Sequence, residues 1–380
     1  MKVLHICLAG TVTDGWSYQE NMLIKFHRQI GYDVTLITSR WMYKSNGELF
    51  KKQESVYYLD NGAKIIRLEI INKDNLTYKF KRYDGVYRAI SAENPDIIFV
   101  HGCQFLDLKI VKQYVSKNKV RLFIDNHADF SNSATNFVSL FVLHKFIWRH
   151  LVKQIEPYVE KFYGVLPARV TFLEQIYKTP KEKTELLVMG GDDELIDIAE
   201  KEVAENRLKL NCSPTDFLIV TGGKIDSSKK QVIQLMRIIK ELGLPHVKMV
   251  VFGSVEKDIE AEFFPNIDGK TINYLGWIDT ESSYKVFRSA DLVVFPGRHS
   301  VYWEQAASQG RPLIVKDWPG THHLDFGGNV LFWKNDDYIW LSKTIKEIVS
   351  NKDSYTEMLN KANSCKSNFY YSNIARKSIK

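Results

Sequence analysis

Cysteine is scarce in this sequence, and its few occurrences are far apart. The 380 residues contain 4 cysteines, and none of them forms a C-x-x-C pair. This spacing argues against a zinc site, so no metal is expected. Scattered thiols fit a reducing compartment best. The four positions are Cys7, Cys103, Cys212 and Cys365.

Proline and long hydrophobic runs are also missing. The 10 prolines predict no long linker. No apolar run approaches the roughly 18 residues that a membrane-spanning helix needs. The run Met1–Cys7 lacks the long apolar region and cleavage site of a signal peptide. We therefore expect a cytoplasmic protein.

What the sequence does contain is a globular composition with alternating strand and helix patterns. Its 44% hydrophobic and 26% charged residues exclude a disordered chain, a collagen and a coiled coil. Strand patterns such as Val3–Leu8, Val34–Thr38 and Val247–Phe252 alternate with helical stretches. The helical stretches include Ser17–Ile30, Thr77–Ser91, Asp193–Lys209 and Gln231–Leu242. The alternation restarts after about residue 190, and two domains fit the length. These patterns predict an α/β protein of two Rossmann-like halves.

Positive charge is concentrated in the first half. Residues 1–190 hold 27 Lys and Arg against 19 Asp and Glu, a net +8, whereas residues 191–380 are close to neutral. Such a surface attracts anionic partners. The stretch Phe137–Lys153 mixes aromatic and basic side chains, which suits either an interfacial helix on anionic lipid or a core helix with a basic outer face. No module accompanies the charge that would indicate nucleic-acid binding.

The segments that follow strands are the places where ligands of open α/β sheets bind. The loop 221–230 reads Thr-Gly-Gly-Lys-Ile-Asp-Ser-Ser-Lys-Lys, with glycines before a helix and several lysines. It is either a phosphate-binding loop or a solvated basic loop, since it matches neither the Walker nor the dinucleotide-binding pattern. Glu304, in the segment 297–310, is either a ligand-binding carboxylate or a helix-surface residue. His322 and His323 are adjacent and therefore do not resemble a metal-ligand pair.

These motifs together resemble the GT-B glycosyltransferases, and among them the retaining family 4 type, closest to capsule and surface-polysaccharide transferases. That family carries Gly-Arg, a spacer and Lys after a strand, where this sequence has Gly223, Lys224 and Lys229. It then carries Phe-Pro followed by Glu-Ala-x-Ala-x-Gly-x-Pro. Here Phe295-Pro296 precedes residues 304–312, which read Glu-Gln-Ala-Ala-Ser-Gln-Gly-Arg-Pro.

The resemblance implies two domains facing a cleft and a set of donor-side residues. Lys224 and Lys229 would neutralise the donor diphosphate and act in catalysis, and Glu304 would accept hydrogen bonds from the ribose. The Lys229 and Glu304 side chains would then point into a solvent-filled cleft. The remaining donor-side residues implied by the resemblance are Gly15, Gly223, Gly276, His299 and Ser300.

On the acceptor side, the resemblance implies that His101 is a catalytic residue near the reacting sugar, with Asp14 and His127 nearby. It divides the chain into an acceptor domain, residues 1–192, a donor domain, residues 193–364, and a C-terminal helical segment, 365–380, that returns to the first domain. The family's first Glu is replaced by Pro296, which leaves sugar recognition open and points to His299 as a donor to the sugar or phosphate.

The function implied is transfer of a sugar, with retention, from a nucleotide-diphosphate sugar to a glycan or lipid-linked acceptor in bacterial surface polysaccharide synthesis. No cofactor is expected beyond the nucleotide sugar, and the inner face of the membrane is an expected partner. Two alternatives remain open: a non-catalytic GT-B subunit that binds a partner transferase or glycan, and a GT-B sugar-nucleotide epimerase.

Overall fold

The computed structural model describes residues 1–44, 47–71 and 80–380. The chain divides into two compact units: one contains Met1–Val188 and Ile374–Lys380, and the other contains Met189–Asn373. The first boundary thus lies four residues before the one placed at 192 from the sequence. The second lies at 373 rather than 364, so most of the segment 365–380 belongs to the second unit and only its last residues to the first.

The first unit is built on a mostly parallel sheet. Among the described residues the sheet has eight strands in the order β10-β9-β8-β7-β1-β2-β6-β5, with only β5 antiparallel to its neighbour. A separate antiparallel pair joins β3 and β4. The strands are β1 Lys2–Cys7, β2 Asp33–Ser39, β3 Trp41–Tyr43, β4 Leu49–Lys51, β5 Val56–Tyr58, β6 Lys64–Leu68, β7 Ile97–His101, β8 Arg121–Asn126, β9 Val159–Gly164 and β10 Thr184–Leu186.

Helices cover this sheet because its central strands are apolar on both faces. Every residue of β7 is buried, and Ile98 and Val100 pack with Leu122, Ile124 and Val152 in the core. The helices are α1 Gln19–Gln29, α2 Val86–Glu93, α3 Leu108–Val115, α4 Arg149–Ile155 and α5 Pro167–Phe172, with π-helices at Val138–Trp148 and Leu173–Tyr177 and 3₁₀ turns at Glu156–Tyr158 and Lys181–Lys183.

The second unit has an all-parallel sheet in the order β13-β12-β11-β14-β15-β16. Its core gathers Ile219, Val251, Leu292 and Trp333. The strands are β11 Phe217–Gly222, β12 Val247–Phe252, β13 Ile272–Tyr274, β14 Leu292–Phe295, β15 Leu313–Lys316 and β16 Val330–Trp333. The helices are α6 Asp193–Lys201, α7 Val203–Lys209, α8 Gln231–Leu242, α9 Glu260–Phe263, α10 Thr280–Ser289, α11 Tyr302–Ser308, α12 Tyr338–Ser350 and α13 Lys352–Cys365, with 3₁₀ turns at Ser227–Lys229, Phe264–Asn266, His322–Leu324 and Lys366–Phe369. The last helix, α14 Tyr371–Ser378, begins in the second unit, and its residues from Ile374 onward belong to the first unit.

Most predicted elements are found within one or two residues, and the exceptions have local causes. The helix expected over 193–209 is two helices, α6 and α7, because the backbone of Glu202 leaves the helical region. The helix expected over 77–91 is α2, which starts at Val86 after Gly85; its first three expected residues lie outside the described residues. No helix within the described residues has the length and apolar character needed to cross a bilayer.

Candidate functional site

The loop after β11 requires glycine because two backbone segments meet there. Gly223 has a φ of +122°, which L side chains rarely adopt, and a Cβ on Gly253 would lie 1.9 Å from the Gly223 carbonyl oxygen. The Asp226 carboxylate then accepts the Ser228 backbone N–H at 2.9 Å and begins the 3₁₀ turn. The loop therefore brings two backbone segments close together at the carboxyl end of the central strand β11, where ligands of parallel sheets bind.

Lys229 lies between this loop and the loop after β14. A Cβ on Gly297 would meet the Lys229 Cγ at 2.8 Å, and a Cβ on Gly223 would lie 3.6 Å from its Nζ. Burial lowers the pKa of Lys229; the positive charges of Arg298 and Lys224 lower it further, although Asp226 raises it. The structure therefore gathers three cations at this edge of the sheet. Arg298, within the predicted segment, was not singled out from the sequence.

Lys224 is more exposed than Lys229 and is engaged elsewhere. Its Nζ lies 2.5 Å from a carboxylate oxygen of Glu256, and its side chain is 59% exposed. The hydrogen bond to Glu256 raises the pKa of Lys224. Lys224 and Lys229, which the sequence treats alike, thus differ in surroundings: one is an exposed ion-paired lysine and the other a largely buried one.

Glu304 is fully buried and held by two histidines. The Nε2 atom of His299 lies 2.8 and 3.1 Å from its two oxygens, and the Nε2 atom of His323 lies 2.9 Å from Oε1. Burial alone would raise the pKa of Glu304, but the two histidines outweigh it and lower the pKa to about 2. The expectation that this side chain points into solvent is wrong, since its exposure is 0%.

The two histidines around Glu304 differ in exposure and in hydrogen bonding. His299 is part-buried, and its side chain is 12% exposed. The side chain of His323 is 3% exposed, and its Nδ1 atom is buried with no hydrogen-bond partner among the described residues. The neighbouring His322 contacts Asp317 instead, so the two adjacent histidines have separate partners. Sequence reasoning considered His323 only as a metal ligand and missed its pairing with Glu304.

Gly276 and Ser300 lie at the ends of the segments that surround this loop. The Gly276 carbonyl accepts the Gly253 N–H at 2.7 Å, and a Cβ on Gly276 would meet nothing within 4 Å. The Ser300 carbonyl accepts the Trp303 N–H at the start of α11. The described residues thus bring Gly223, Gly276 and Lys229 to one edge of the second sheet.

In the first unit His101 ends β7, where it is buried between two partners. Its Nδ1 lies 3.0 Å from the Asp125 carboxylate, and its Nε2 lies 2.9 Å from Nδ1 of His5. Asp125 also accepts the Gly102 N–H at 2.8 Å and lies 3.3 Å from Nε2 of His127. Burial would raise the pKa of Asp125, but His127 and His101 together hold it well below its usual range. Both ring nitrogens of His101 are therefore engaged within the unit.

Asp14 and Gly15 form an anchored loop near the first strand. The buried Arg67 donates to one Asp14 oxygen at 2.6 Å, and the Tyr57 hydroxyl donates to the other at 2.6 Å. Arg67 also donates to the Ser39 carbonyl at 2.7 Å. Gly15 has a φ of +77° and open space where a Cβ would stand. Asp14 thus anchors the loop, and the space beside Gly15 is open.

The helical stretch Val138–Trp148 has an apolar outer face. His144 and Trp148 are buried on its inner side, while Phe146 is 73% exposed and Lys145 lies over the Phe141 ring at 4.0 Å. The helix thus packs on the core by its inner side and carries exposed apolar side chains beside Lys145 on its outer side. The exposed apolar residues are Phe137, Val138, Phe141, Val142 and Phe146.

Within the described ranges, no cluster of three or more His, Cys, Asp or Glu side chains has a geometry that could hold a metal ion. Asp125 and Glu304 instead bind the histidines beside them. Their chemistry is that of hydrogen-bonded carboxylate–imidazole pairs, and the lysines beside Gly223 supply the positive charge of the site.

The chain is similar to solved structures over its whole length at low identity. Sucrose-phosphate synthase from Thermosynechococcus elongatus matches with a TM-score of 0.65 and 15% identity, over 99% of this chain and 97% of that chain. Alr3699/HepE from Anabaena, in complex with UDP, matches with a TM-score of 0.67 and 16% identity, over 99% and 98%. A protein assigned as a UDP-N-acetylglucosamine 2-epimerase from Listeria monocytogenes matches with a TM-score of 0.62 and 13% identity, over 99% and 94%.

These likenesses confirm the predicted α/β GT-B fold. No protein-family model matches the sequence, and no curated protein sequence matches it either.

Proposed function

We propose that this chain is a glycosyltransferase that takes a sugar from a nucleotide-diphosphate sugar and transfers it, with retention, to a glycan or lipid-linked acceptor in surface polysaccharide synthesis of the capsular type. The observation that carries the proposal is the position of Lys229, a largely buried cation between Gly223 and Gly297. A solved structure of similar fold contains UDP and another contains UDP-glucose, which supports a nucleotide-sugar donor.

The chemistry explains why such a cation is needed. When the glycosidic bond to the donor phosphate breaks, negative charge develops on the departing diphosphate. In this proposal Lys229 and the neighbouring Arg298 would neutralise that charge, and partial burial would make the interaction stronger than it is in water. Lys224 would join them on release from Glu256. Lys229 is therefore the main catalytic cation of this proposal, and Lys224 a secondary one.

The Glu304 cluster would recognise the sugar and ribose. Because the Glu304 carboxylate accepts from Nε2 of His299, the His299 ring is fixed in orientation and its other nitrogen is available to a hydroxyl group. The free nitrogen of His299 would then take the place of the carboxylate that the resembled family has at the Pro296 position. Ribose hydroxyls would reach Glu304 itself only if His299 turned away, so we assign the first contact with donor hydroxyls to His299.

For the acceptor side, we propose that the apolar face of Val138–Trp148 contacts an anionic membrane surface. Exposed aromatic side chains beside Lys145 suit the boundary between headgroups and acyl chains. The net +8 of residues 1–190 supplies the attraction to an anionic leaflet. A lipid-linked acceptor would then be met at the inner face of the plasma membrane, with the protein in the cytoplasm.

A thermal-shift screen against nucleoside diphosphates, nucleotide sugars and the matching monophosphates tests the donor proposal. We expect the diphosphates to raise the melting temperature and the monophosphates to raise it less. Lys229→Ala should abolish the difference, whereas Lys230→Ala should keep it, because Lys230 pairs with Glu262 at the surface. Equal shifts by mono- and diphosphates in the wild type would contradict the proposal.

A sugar-nucleotide epimerase is the second candidate, favoured by the similarity to the Listeria protein. Incubation of the chain with a nucleotide sugar alone separates the two functions. An epimerase converts the donor sugar without an acceptor, whereas a transferase leaves it unchanged until an acceptor is added. A chain that binds no donor at all would point to a non-catalytic GT-B subunit.

A further inference from the structure

Three histidine rings form a buried chain in the first unit. His101 on β7 contacts His5 on β1 at 2.9 Å, and Nε2 of His5 contacts Nδ1 of His27 on α1 at 3.0 Å. The rings of His5 and His101 are within 17° of coplanar, with centroids 5.2 Å apart, so the nitrogens face each other nearly in the ring planes. The three side chains are 0 to 3% exposed.

Both ends of the chain are hydrogen-bond acceptors. At one end Nδ1 of His101 faces the Asp125 carboxylate at 3.0 Å. At the other end Nε2 of His27 faces the Ala375 backbone carbonyl at 3.0 Å. A carbonyl oxygen and a carboxylate oxygen accept and do not donate, so the nitrogen that faces each must carry a hydrogen.

The number of hydrogens then follows. Four contacts link Asp125, the three rings and Ala375, and each requires one hydrogen between its two atoms. A neutral imidazole carries one N–H, so three neutral rings supply three hydrogens for four contacts. The fourth contact requires one more proton in the chain.

The Ser378 hydroxyl is the only other group at this end that could supply a hydrogen among the contacts described. It lies 3.1 Å from Nε2 of His27, but it also donates to the Ala375 carbonyl at 2.9 Å. If it donated to His27 instead, the lone pair of Nε2 would face the Ala375 oxygen at 3.0 Å. The arrangement with Nε2–H donating to the carbonyl avoids that repulsion.

We propose that His5 and His27 are positioning residues for His101, and that the chain they form from Ala375 to Asp125 holds one proton more than three neutral imidazoles, so that His101 is an imidazolium paired with Asp125. Helix α14, which provides Ala375 and Ser378, would then close the chain and retain the proton.

The surroundings favour His101 as the ring that carries the charge. Burial, with the neighbouring histidines, lowers the pKa of His5 well below its usual range, and burial lowers the pKa of His27 to about 4. Asp125 is the charged group next to the chain, and the partly exposed His127 reaches it from its other oxygen. The Tyr32 ring meets His27 edge-on, and α14 presents only a carbonyl and a hydroxyl to the chain.

The consequence concerns the role of His101. With both nitrogens engaged, His101 would contribute a fixed positive charge at the carboxyl end of β7 rather than shuttle a proton to a substrate. Only this consequence for turnover rests on the proposed function; the proton count does not.

Nitrogen-15 NMR of protein labelled at histidine tests the count directly, because two-bond correlations show which ring nitrogens carry hydrogen. At pH 8 an ordinary histidine, with a pKa near 6.5, is about 30-fold more neutral than protonated. We expect one ring, assigned by its loss in His101→Asn, to keep hydrogens on both nitrogens. A neutral His101 in the wild type would overturn the proposal.

Asp125→Asn is the matched variant, because it can keep every contact. The Gly102 N–H, which now donates to Oδ1, would orient the new amide so that its NH₂ group faces Nδ1 of His101. Three neutral rings then supply all the ring hydrogens needed. We expect the imidazolium signal to vanish while the protein stays folded; an unchanged signal contradicts the count. Ser378→Ala should leave the signal in place. If the hydroxyl supplied the fourth hydrogen instead, the wild type would lack the imidazolium signal and Ser378→Ala would gain it, which would overturn the proposal.

His27→Leu tests whether His27 acts on His101 through His5. Removing the ring leaves Nε2 of His5 without its acceptor. The two contacts that remain, between Asp125 and His101 and between His101 and His5, need two hydrogens, which two neutral rings supply. The imidazolium signal of His101 should fall, although His27 does not touch Asp125. If the signal persists in this variant, His27 is a packing residue only. Donor binding measured in the second unit should be unchanged in all these variants, so failure of this inference and failure of the proposed function are distinguishable.

Discussion

Each unit contains a fully buried carboxylate held by two histidines, and the two clusters differ in how they end. Asp125 in the first unit contacts His101 and His127, and Glu304 in the second contacts His299 and His323. From Asp125 the contacts continue through further rings to a backbone carbonyl. Around Glu304 they stop, with Nδ1 of His323 buried and without a partner among the described residues.

The two clusters therefore differ in whether their hydrogen-bonding groups all have partners among the described residues. A buried polar atom without a hydrogen bond costs free energy, so native structures keep few of them and each calls for an explanation. The chain from Asp125 satisfies its groups within one unit and therefore acts on the structure and charge of that unit. The Glu304 cluster has unused hydrogen-bonding capacity beside the cations around Lys229, which suits a ligand that arrives from outside.

Removing Glu304 should have the largest effect on stability. Glu304→Ala removes the acceptor of the buried His323 and of the part-buried His299, and breaking a buried pair in this way costs about 3–5 kcal/mol. Urea unfolding of the wild type and the variant measures the difference. Glu304→Gln, which keeps one carbonyl acceptor, should lose clearly less. An unchanged unfolding free energy in Glu304→Ala would mean that the carboxylate is solvated rather than buried.

The two clusters should lose stability in different pH ranges. The folded-state pKa values of His5 and His27 are depressed, so the unfolded chain binds more protons below about pH 6.5 and each histidine removes about 1.4 kcal/mol per pH unit as the pH falls toward 4. The pKa of Glu304 is lowered to about 2, so its contribution is present above about pH 4.5 and is lost between there and pH 2.

Unfolding free energies measured from pH 8 to pH 3 check both ranges. His27→Leu should reduce the loss between pH 6.5 and 4 without abolishing it, because the pKa values of His5 and His144 are lowered too. Glu304→Gln should leave that loss in place. Identical pH profiles for the two variants would remove the distinction between the clusters.

The apolar face of Val138–Trp148 should contribute more to vesicle affinity than exposed apolar residues of the second unit do. Burying one Phe side chain is worth about 1.5–3 kcal/mol, so Phe137→Ser with Phe146→Ser should weaken binding to anionic vesicles at least tenfold. Leu208→Ser, which changes an exposed apolar residue of the second unit, is the control. Sedimentation at low and high salt measures both variants. Equal binding by the double variant and the wild type would show that this face does not meet lipid.

The smallest effect is expected at Lys224. Because it is exposed and paired with Glu256, its removal should weaken diphosphate binding less than about tenfold. Titration of Lys224→Ala beside Glu256→Gln checks this, since freeing Lys224 should leave binding equal to or stronger than in the wild type. A loss in Lys224→Ala as large as that in Lys229→Ala would show that the two lysines are equivalent.

The elements and the individual polar residues were not equally predictable from the sequence. Apolar runs bounded by turn residues located strands such as Val247–Phe252 and helices such as Gln231–Leu242, because burial itself fixes their periodicity. The hydrogen-bond partners were not predictable. His5 occurs within a strand as an apparent core residue, and it meets His101 only because β1 pairs with β7. No spacing in the sequence encodes such a contact.

The same reasoning applies to the second unit. His299 was considered from the sequence, but His323 reaches Glu304 only because the 3₁₀ turn His322–Leu324 folds back toward α11. The basic loop was found because its glycines and lysines are close in sequence. The burial of Lys229 depends on Gly297, which is distant in sequence and comes into contact only in the folded unit.

Calorimetric titration with nucleoside diphosphates tests the central claim most directly, namely that Lys229 forms the diphosphate site. A charge-assisted hydrogen bond is worth about 1.5–3 kcal/mol, so Lys229→Ala should weaken nucleoside diphosphate binding by about 10- to 150-fold. Binding of the bare nucleoside should change little, and Lys230→Ala should bind the diphosphate as the wild type does. If Lys229→Ala binds the diphosphate as tightly as the wild type, the donor site lies elsewhere and the proposed function loses its support.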